Sequence, residues 1–397
     1  MIENTTSFYV GTEINFGKNV SLQIGEKLKE YNIKKAMVVT DKGIVNAGLL
    51  DNVLDSLSNS NIQYIVFDET PPNPPAEIIN KGVDVCKENK CTGLIAIGGG
   101  SSIDTSKAIS MIVENGGNIN DYDNSPQGGK EVKSEGLPVF TIPTTSGTGS
   151  EVTQWAVVTD VQRNWKSSIG SPLMAPKVSL VDPTLTLGLP PAITASTGVD
   201  ALTHAIEAYT CKGATTSESP ITDALALRAI KLVGNNLRTA YSQGENYEAR
   251  KNTMFGSTLA GMSFPNVGLG TVHGMAHPLG GHFEVAHGVA NAILLPYVME
   301  FNVLTNPERF SNIAVALGED ITGLNPMEAA RKAVKAVRSL IQDVEIPSLD
   351  SFEKVDPKLF PKLAEDALNE AATHDNPKKT TKQDIIDLFN KAYYKEG

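Results

Sequence analysis

Cysteine is nearly missing from this 397-residue sequence: Cys86, Cys91 and Cys211 are the whole complement. Three thiols cannot build a disulfide framework, and Cys86 and Cys91 lack the CxxC spacing of a redox or zinc pair, so all three are expected as buried filling. Positive charge is short as well. With 34 Lys and Arg against 45 Asp and Glu, the formal net charge is −11, which argues against nucleic acid and anionic lipid as partners. No apolar run approaches a membrane span, and the opening MIENTTSFYV lacks the basic flank and long apolar stretch of a signal peptide. A cytoplasmic location without a membrane partner is the expectation. Low-complexity tracts and visible internal repeats are also lacking. What remains has 41% hydrophobic and 20% charged residues, globular proportions, and length enough for about two to three domains. A small molecule is the expected partner.

The two halves differ in rhythm. From Lys34 to about Asp182, short apolar runs (34–40, 63–67, 93–100, 137–145 and 177–183) alternate with amphipathic stretches such as 19–31 and 76–89. Short runs flanked by Gly and Pro predict buried strands, and the alternation predicts a parallel α/β layer. After 187–194 the alternation stops. The segments 198–210, 221–241, 326–342 and 382–394 carry helical periodicity, so the C-terminal half is expected to be all helix. The boundary falls near Pro190, where Pro190 and Pro191 block a continuing helix. This gives a dinucleotide-binding-type domain over 1–188 and a helical domain over 189–397. Open parallel sheets bind ligands at the carboxyl ends of their strands, and a second domain can close a cleft over them.

GLIAIGGGSSIDTSKAIS (93–110) carries a strand, three glycines, two serines and a helix that begins near Asp104. Glycines let backbone approach a bulky anion, and a helix N-terminus offers unpaired N–H groups, so a diphosphate fits there. The run departs from the GxGxxG fingerprint, and a plain tight turn is the alternative. A second polar loop, PTTSGTGSEVT (143–153), follows another predicted strand. Asp41 closes the strand AMVVT. Its carboxylate could accept both hydroxyls of an adenosine ribose, favouring NAD over NADP, or could cap the next helix.

Four of the six histidines, His273, His277, His282 and His287, fall within fifteen residues. His273 and His277 share one face of a predicted helix, as do Asp200 and His204 upstream. His287 is expected after a break at Pro278, Leu279, Gly280 and Gly281. The two pairs could converge on a metal, and all-N/O ligation suits Fe²⁺, Zn²⁺, Mn²⁺ or Ni²⁺ alike. His282 is expected to line the cleft or face solvent, and His374 to sit in a loop.

With these motifs quoted, the sequence resembles the iron-containing (group III) alcohol dehydrogenases from about Phe8 to Tyr394. The likeness rests on GGGSSID (98–104), PTTSGTGSEVT (143–153), DPTLT to LP (182–190), STGVDALTHAIEAY (196–209) and GLGTVHGMAHPLGGHFEVAHG (268–288). It implies an N-terminal NAD-binding α/β domain, an all-α metal-binding and catalytic domain of the dehydroquinate synthase-like fold, and a homodimer or larger assembly. By position it implies Asp200, His204, His273 and His287 as metal ligands, iron before zinc, and His277 as an unligated proton relay. It assigns Asp41 to the ribose and Gly99, Gly100 and Ser101 to the diphosphate. Asn73, Asp104, Thr144, Thr145, Thr153 and Lys166 fall to the rest of the cofactor pocket, and Trp155 and Phe264 to the substrate end. Two departures stand out: Lys378 where relatives often carry Arg, and His282 at a frequently aromatic position. The implied reaction interconverts a short-chain primary alcohol and its aldehyde with NAD(H), mainly as an aldehyde reductase. The rivals are a polyol (glycerol or 1,3-propanediol) dehydrogenase and a dehydroquinate synthase-type lyase or cyclase. The latter needs basic residues that the metal segments barely offer. A metal-dependent hydrolase would need no nucleotide cradle, and a non-catalytic binding module would lack a working metal site.

Overall fold

The computed structural model describes residues 6–124, 128–161, 163, 165–216 and 219–395. The chain divides into two compact units, one of Val10–Thr145 and Gly149–Leu187, the other of Gly188–Gly397 with Met1–Tyr9 and Ser146–Thr148.

The first unit is α/β. Its strands among the described residues are β1 (Glu13–Phe16), β2 (Lys35–Val39), β3 (Gln63–Phe67), β4 (Gly93–Gly98), β5 (Val139–Pro143), β6 (Trp155–Asp160), β7 (Trp165–Gly170) and β8 (Val178–Val181). Its helices are α1 (Ile24–Glu30), α2 (Lys42–Asn46), α3 (Asp51–Asn59), α4 (Ala76–Glu88) and α5 (Gly100–Asn115). Six strands form a parallel sheet in the order β1-β8-β5-β4-β2-β3, while β6 and β7 make a separate antiparallel hairpin. Strand β4 is buried at every position because helices cover both faces, which is why it reads as an unbroken apolar run. Strand β2 shows the two-sided core directly. Met37 and Val39 join a cluster with Ile79 of α4 and Ile109 of α5, whereas Ala36 and Val38 join Ile24 and Leu28 of α1 and Val53 of α3. Neighbours β2 and β4 lead away in opposite directions, β2 to β3 and β4 to β5, so the switch point of this sheet lies between their carboxyl ends. Asp41 follows β2 and the glycine turn follows β4.

The second unit is helical among the described residues: α6 (Pro191–Thr210), α7 (Lys212–Thr216), α8 (Pro220–Ser242), α9 (Tyr247–Val267), α10 (Thr271–Phe283), α11 (His287–Asn302), α12 (Pro307–Ala316), α13 (Pro326–Asp343), α14 (Phe360–Asn369), α15 (Ala371–His374) and α16 (Lys382–Tyr394). Pro190 and Pro191 stand where the helical unit begins, and Pro191 opens α6, where a missing N–H costs nothing. Helix α6 is buried from Val199 to Thr210 because α8, α9 and α11 pack around it. One expectation fails. No break occurs at Pro278–Gly281: α10 continues through them to Phe283, and the chain turns at Glu284, whose φ is 59°. Proline deletes a single helical hydrogen bond and glycine only lowers propensity, and the buried packing of α10 outweighs both.

Candidate active site

Three side chains of α6, Asp200, His204 and Glu207, recur at i, i+4 and i+7 and so form one stripe. All three are buried. Helix α10 presents His273, and α11 begins with His287. Close approach at Gly288 allows this: a Cβ there would lie 2.5 Å from the Ser196 carbonyl, so only glycine lets α11 start against α6. One donor atom from each of Asp200, His204, His273 and His287 lies within 4.8 Å of the other three. The ring centroids of His204 and His273 are 4.6 Å apart, and those of His273 and His287 are 5.4 Å apart.

Burial holds the His204 imidazole below its ordinary pKa despite nearby Asp200. His273 lies well below the ordinary value, first through burial and then through the His204, His287 and His277 rings. Neutral imidazole is the metal-binding form. Nδ1 of His204 is buried without a hydrogen-bond partner. One carboxylate and three imidazoles, converging with an orphaned donor among them, match the needs of a divalent cation.

His277 is not among the four. Its ring centroid lies 5.4 Å from that of His287, and its Nδ1 is 3.2 Å from Glu370 Oε2, out of hydrogen-bond alignment. Phe264 stacks on His204 at 4.7 Å. His282 lies half-buried in the last turn of α10, paired with Asp366 at 2.9 Å. His374 ends α15, where its carbonyl accepts from Lys212 Nζ. Lys378 lies over the Phe301 ring at 3.7 Å. Sequence reasoning passed over two residues. Glu207 meets His273 Nδ1 at 2.5 Å, and burial pushes its carboxyl up to about 8 against the backbone N–H groups of Val272, Gly270 and His273. Asn291, fully buried on α11, meets Asp200, His273 and His287. The signal for both was spacing, Glu207 three residues after His204 and Asn291 four after His287.

In the α/β unit the turn after β4 forms an anion cradle. Gly98 has φ of +147°, and a Cβ there would meet Ser102 Oγ at 2.6 Å. Gly99 is the N-cap of α5 with no side chain to cap it, so the first-turn N–H groups await an acceptor. Thr145 flanks Gly99, and Thr144 Oγ1 is buried without a partner. Of its two sequence readings, Asp41 shows the capping one. Its Oδ1 caps α2 through the Gly43 and Ile44 N–H groups, and its Oδ2 faces Ser102 Oγ at 3.4 Å. Asn73, with φ of 55°, accepts from Lys166 Nζ. The carboxylate of Asp104 is occupied by Ser150 Oγ, the Val157 N–H and Lys107 Nζ. Thr153 Oγ1 lies 3.3 Å from Lys107 Nζ, and Trp155 opens β6 half-buried with its carbonyl on the same lysine. These residues fit a diphosphate-bearing dinucleotide.

A nucleotide cradle at a sheet switch point and a buried carboxylate–imidazole cluster define an NAD(H)- and metal-dependent oxidoreductase. The chain belongs to the iron-containing alcohol dehydrogenase family: the model of iron-containing alcohol dehydrogenases matches residues 11–183, and that of the C-terminal part of the Fe-containing alcohol dehydrogenase family matches 194–393. It is 41% identical to a 1,3-propanediol dehydrogenase of Klebsiella pneumoniae, covering 97% of this chain and 98% of that one. It is 38% identical to an NAD-dependent methanol dehydrogenase of Bacillus methanolicus, over 98% of this chain and all of the other. A crystal structure of a 1,3-propanediol oxidoreductase superposes with a TM-score of 0.93 at 40% identity, covering 98% of this chain and 100% of that one. The protein is an alcohol dehydrogenase that uses NAD(H) and a divalent metal to interconvert alcohols and aldehydes. Among the described residues no helix is long and apolar enough to cross a membrane.

Proposed function

We propose that this chain reduces short-chain aldehydes to primary alcohols with NADH, with Asp200, His204, His273 and His287 holding iron or, in its place, zinc. The observation that carries the reading is the convergence of those four donors within 4.8 Å. When bound, NADH supplies the hydride and the divalent cation polarises the substrate oxygen. His277 moves the proton: its Nδ1 faces Glu370, which leaves Nε2 to exchange with the alcohol hydroxyl. Phe264 and Trp155 bound the substrate. Gly99, Gly100 and Ser101 bind the diphosphate, and the Oδ2 of Asp41 meets the ribose and repels a 2′-phosphate. Thr144, Thr145, Thr153, Asn73 and Lys166 complete the pocket, while Asp104 contributes by holding the loop that carries Ser150. In this reading residues 1–188 are the NAD-binding domain and 189–397 the metal-binding, catalytic one, in a cytoplasmic homodimer or larger homo-oligomer. A polyol substrate is the second reading, favoured by the likeness to 1,3-propanediol dehydrogenases.

The test is an NADH-oxidation screen over short aldehydes and polyol-derived aldehydes, run with Fe²⁺ or Zn²⁺ restored to stripped protein. His273→Ala is expected to lose metal and activity together. His277→Ala is expected to keep its metal and lose about 10²- to 10⁴-fold in rate. Equal metal loss in both variants would overturn the division of roles, and no oxidation with any aldehyde would overturn the substrate class.

A further inference from the structure

Two buried polar side chains touch the four convergent donors without belonging to them. Glu207 reaches His273 from outside the cluster, its Oε2 2.5 Å from Nδ1, while its Oε1 accepts the Val272 N–H at 2.8 Å. Room for it exists because position 270 is glycine: a Cβ there would lie 2.6 Å from Glu207 Oε1. With the neutral ring's one proton on Nδ1 and directed at Glu207 Oε2, the lone pair that a cation needs lies on Nε2. That atom faces Asn291, whose Nδ2 lies 3.1 Å away.

Asn291 closes the frame from the other side. Its Nδ2 is also 2.7 Å from Asp200 Oδ1 and 3.1 Å from His287 Nε2. The reverse amide orientation would set an oxygen against the Asp200 carboxylate, so the NH₂ group is held inward, even though Oδ1 is left buried without a partner. With two N–H donors, the amide holds the carboxylate and one of the two imidazoles at a time.

We propose that Glu207 and Asn291 are positioning residues that set the affinity of this centre for its cation, Glu207 by fixing the His273 tautomer and Asn291 by holding Asp200 and His287 in register. Partners that orient metal-bound imidazoles and carboxylates contribute about 10- to 100-fold in metal affinity. A merely structural Glu207, capping the start of α10, would affect stability alone. The inference rests on the ligand set proposed above.

The experiment is chelator competition for Zn²⁺ on the full-length stripped protein, beside the visible spectrum of the Co²⁺-loaded form and a thermal melt. Glu207→Gln and Asn291→Leu, both near-isosteric, are each expected to raise the Zn²⁺ Kd by about 10- to 100-fold and to shift the Co²⁺ bands. Wild-type Kd and Co²⁺ spectra in both variants, with only the melting temperature lowered, would overturn the inference. His273→Ala separates the two failures: retained Zn²⁺ there refutes the ligand set itself, whereas lost Zn²⁺ there with wild-type affinity in Glu207→Gln refutes only the positioning role. Should Glu207→Gln fail to fold, Asn291→Leu reads out the same claim from the opposite side of the site.

Discussion

Lys166 shows how a single buried charge can be kept at a cost. Burial depresses its amine to about 8 from the ordinary 10.5, with Asp104 opposing the shift, and its hydrogen bond goes to neutral Asn73. Below pH 8 the amine is protonated in both folded and unfolded chains, so the folded chain carries the full desolvation cost. Between about 8 and 10.5 the unfolded chain holds a proton that the folded one has released, and stability therefore rises with pH across that window. The difference amounts to about 3 kcal/mol. Lys166→Met is expected to abolish the rise and to stabilise the α/β unit below pH 8 by up to that amount, while NADH binding weakens. Urea denaturation between pH 7 and 10.5, with fluorescence titration of NADH, checks both halves. At this scale the sequence was partly readable. Asp200 and His204 announced themselves by i,i+4 spacing, and so did His273 and His277, although His277 stayed outside the convergent four. Glu207 and Asn291 also fell at helical spacing, three residues after His204 and four after His287, but a lone Glu or Asn in an apolar helix carries no chemical signature until a neighbour from another helix meets it.

At the scale of elements, the five short apolar runs all became strands of the parallel sheet; for the inner ones, burial on both faces writes itself as continuous hydrophobicity, and edge strand β3 was legible from its β-branched and aromatic QYIVF. Strand β1 escaped because its four residues, EINF, lie at the sheet edge and are mostly half-buried. The β6–β7 hairpin escaped because its buried and half-buried positions alternate within a stretch rich in hydroxyls and Gly. That hairpin depends on one buried lysine. Lys107, from the second turn of α5, reaches the Ser150 carbonyl at 3.0 Å, Ser150 Oγ at 2.5 Å, the Trp155 carbonyl, and Asp104 at 3.1 Å. Burial lowers its pKa, with Asp104 and Glu151 opposing. Removing it strands two backbone carbonyls and an acidic partner, for which about 3–5 kcal/mol is the expected loss. Lys107→Met is therefore expected to lower the stability of the α/β unit by that amount and to weaken NADH binding, with the metal content unchanged. Denaturation followed by metal analysis of the folded fraction checks it, and altered metal content would show that the loop it braces serves more than the cofactor.

Across the whole molecule the two candidate sites are segregated by unit. Every donor of the convergent cluster comes from α6, α10 and α11, and the glycine cradle from β4, α5 and Gly99 between them. A ligand stabilises the unit that binds it, by about 2.7 kcal/mol when present at one hundred times its Kd. Local opening follows the same free energy, so amide exchange should report the two ligands separately. Stripping the metal with a chelator is expected to speed exchange in peptides spanning 198–210, 271–283 and 287–302, and to leave 93–110 near its starting rate. Adding NADH to the stripped protein is expected to slow exchange over 93–110 and over 38–46, where Asp41 caps α2, with little change in the three metal-site helices. Hydrogen–deuterium exchange with mass spectrometry resolves these segments. Protection of 198–210 by NADH alone, as large as that given by metal, would mean that the helical unit answers to the cofactor directly and that the boundary near Pro190 does not divide the labour. Separate responses would instead make each half a binding module in its own right, with catalysis the one property that needs both ligands together.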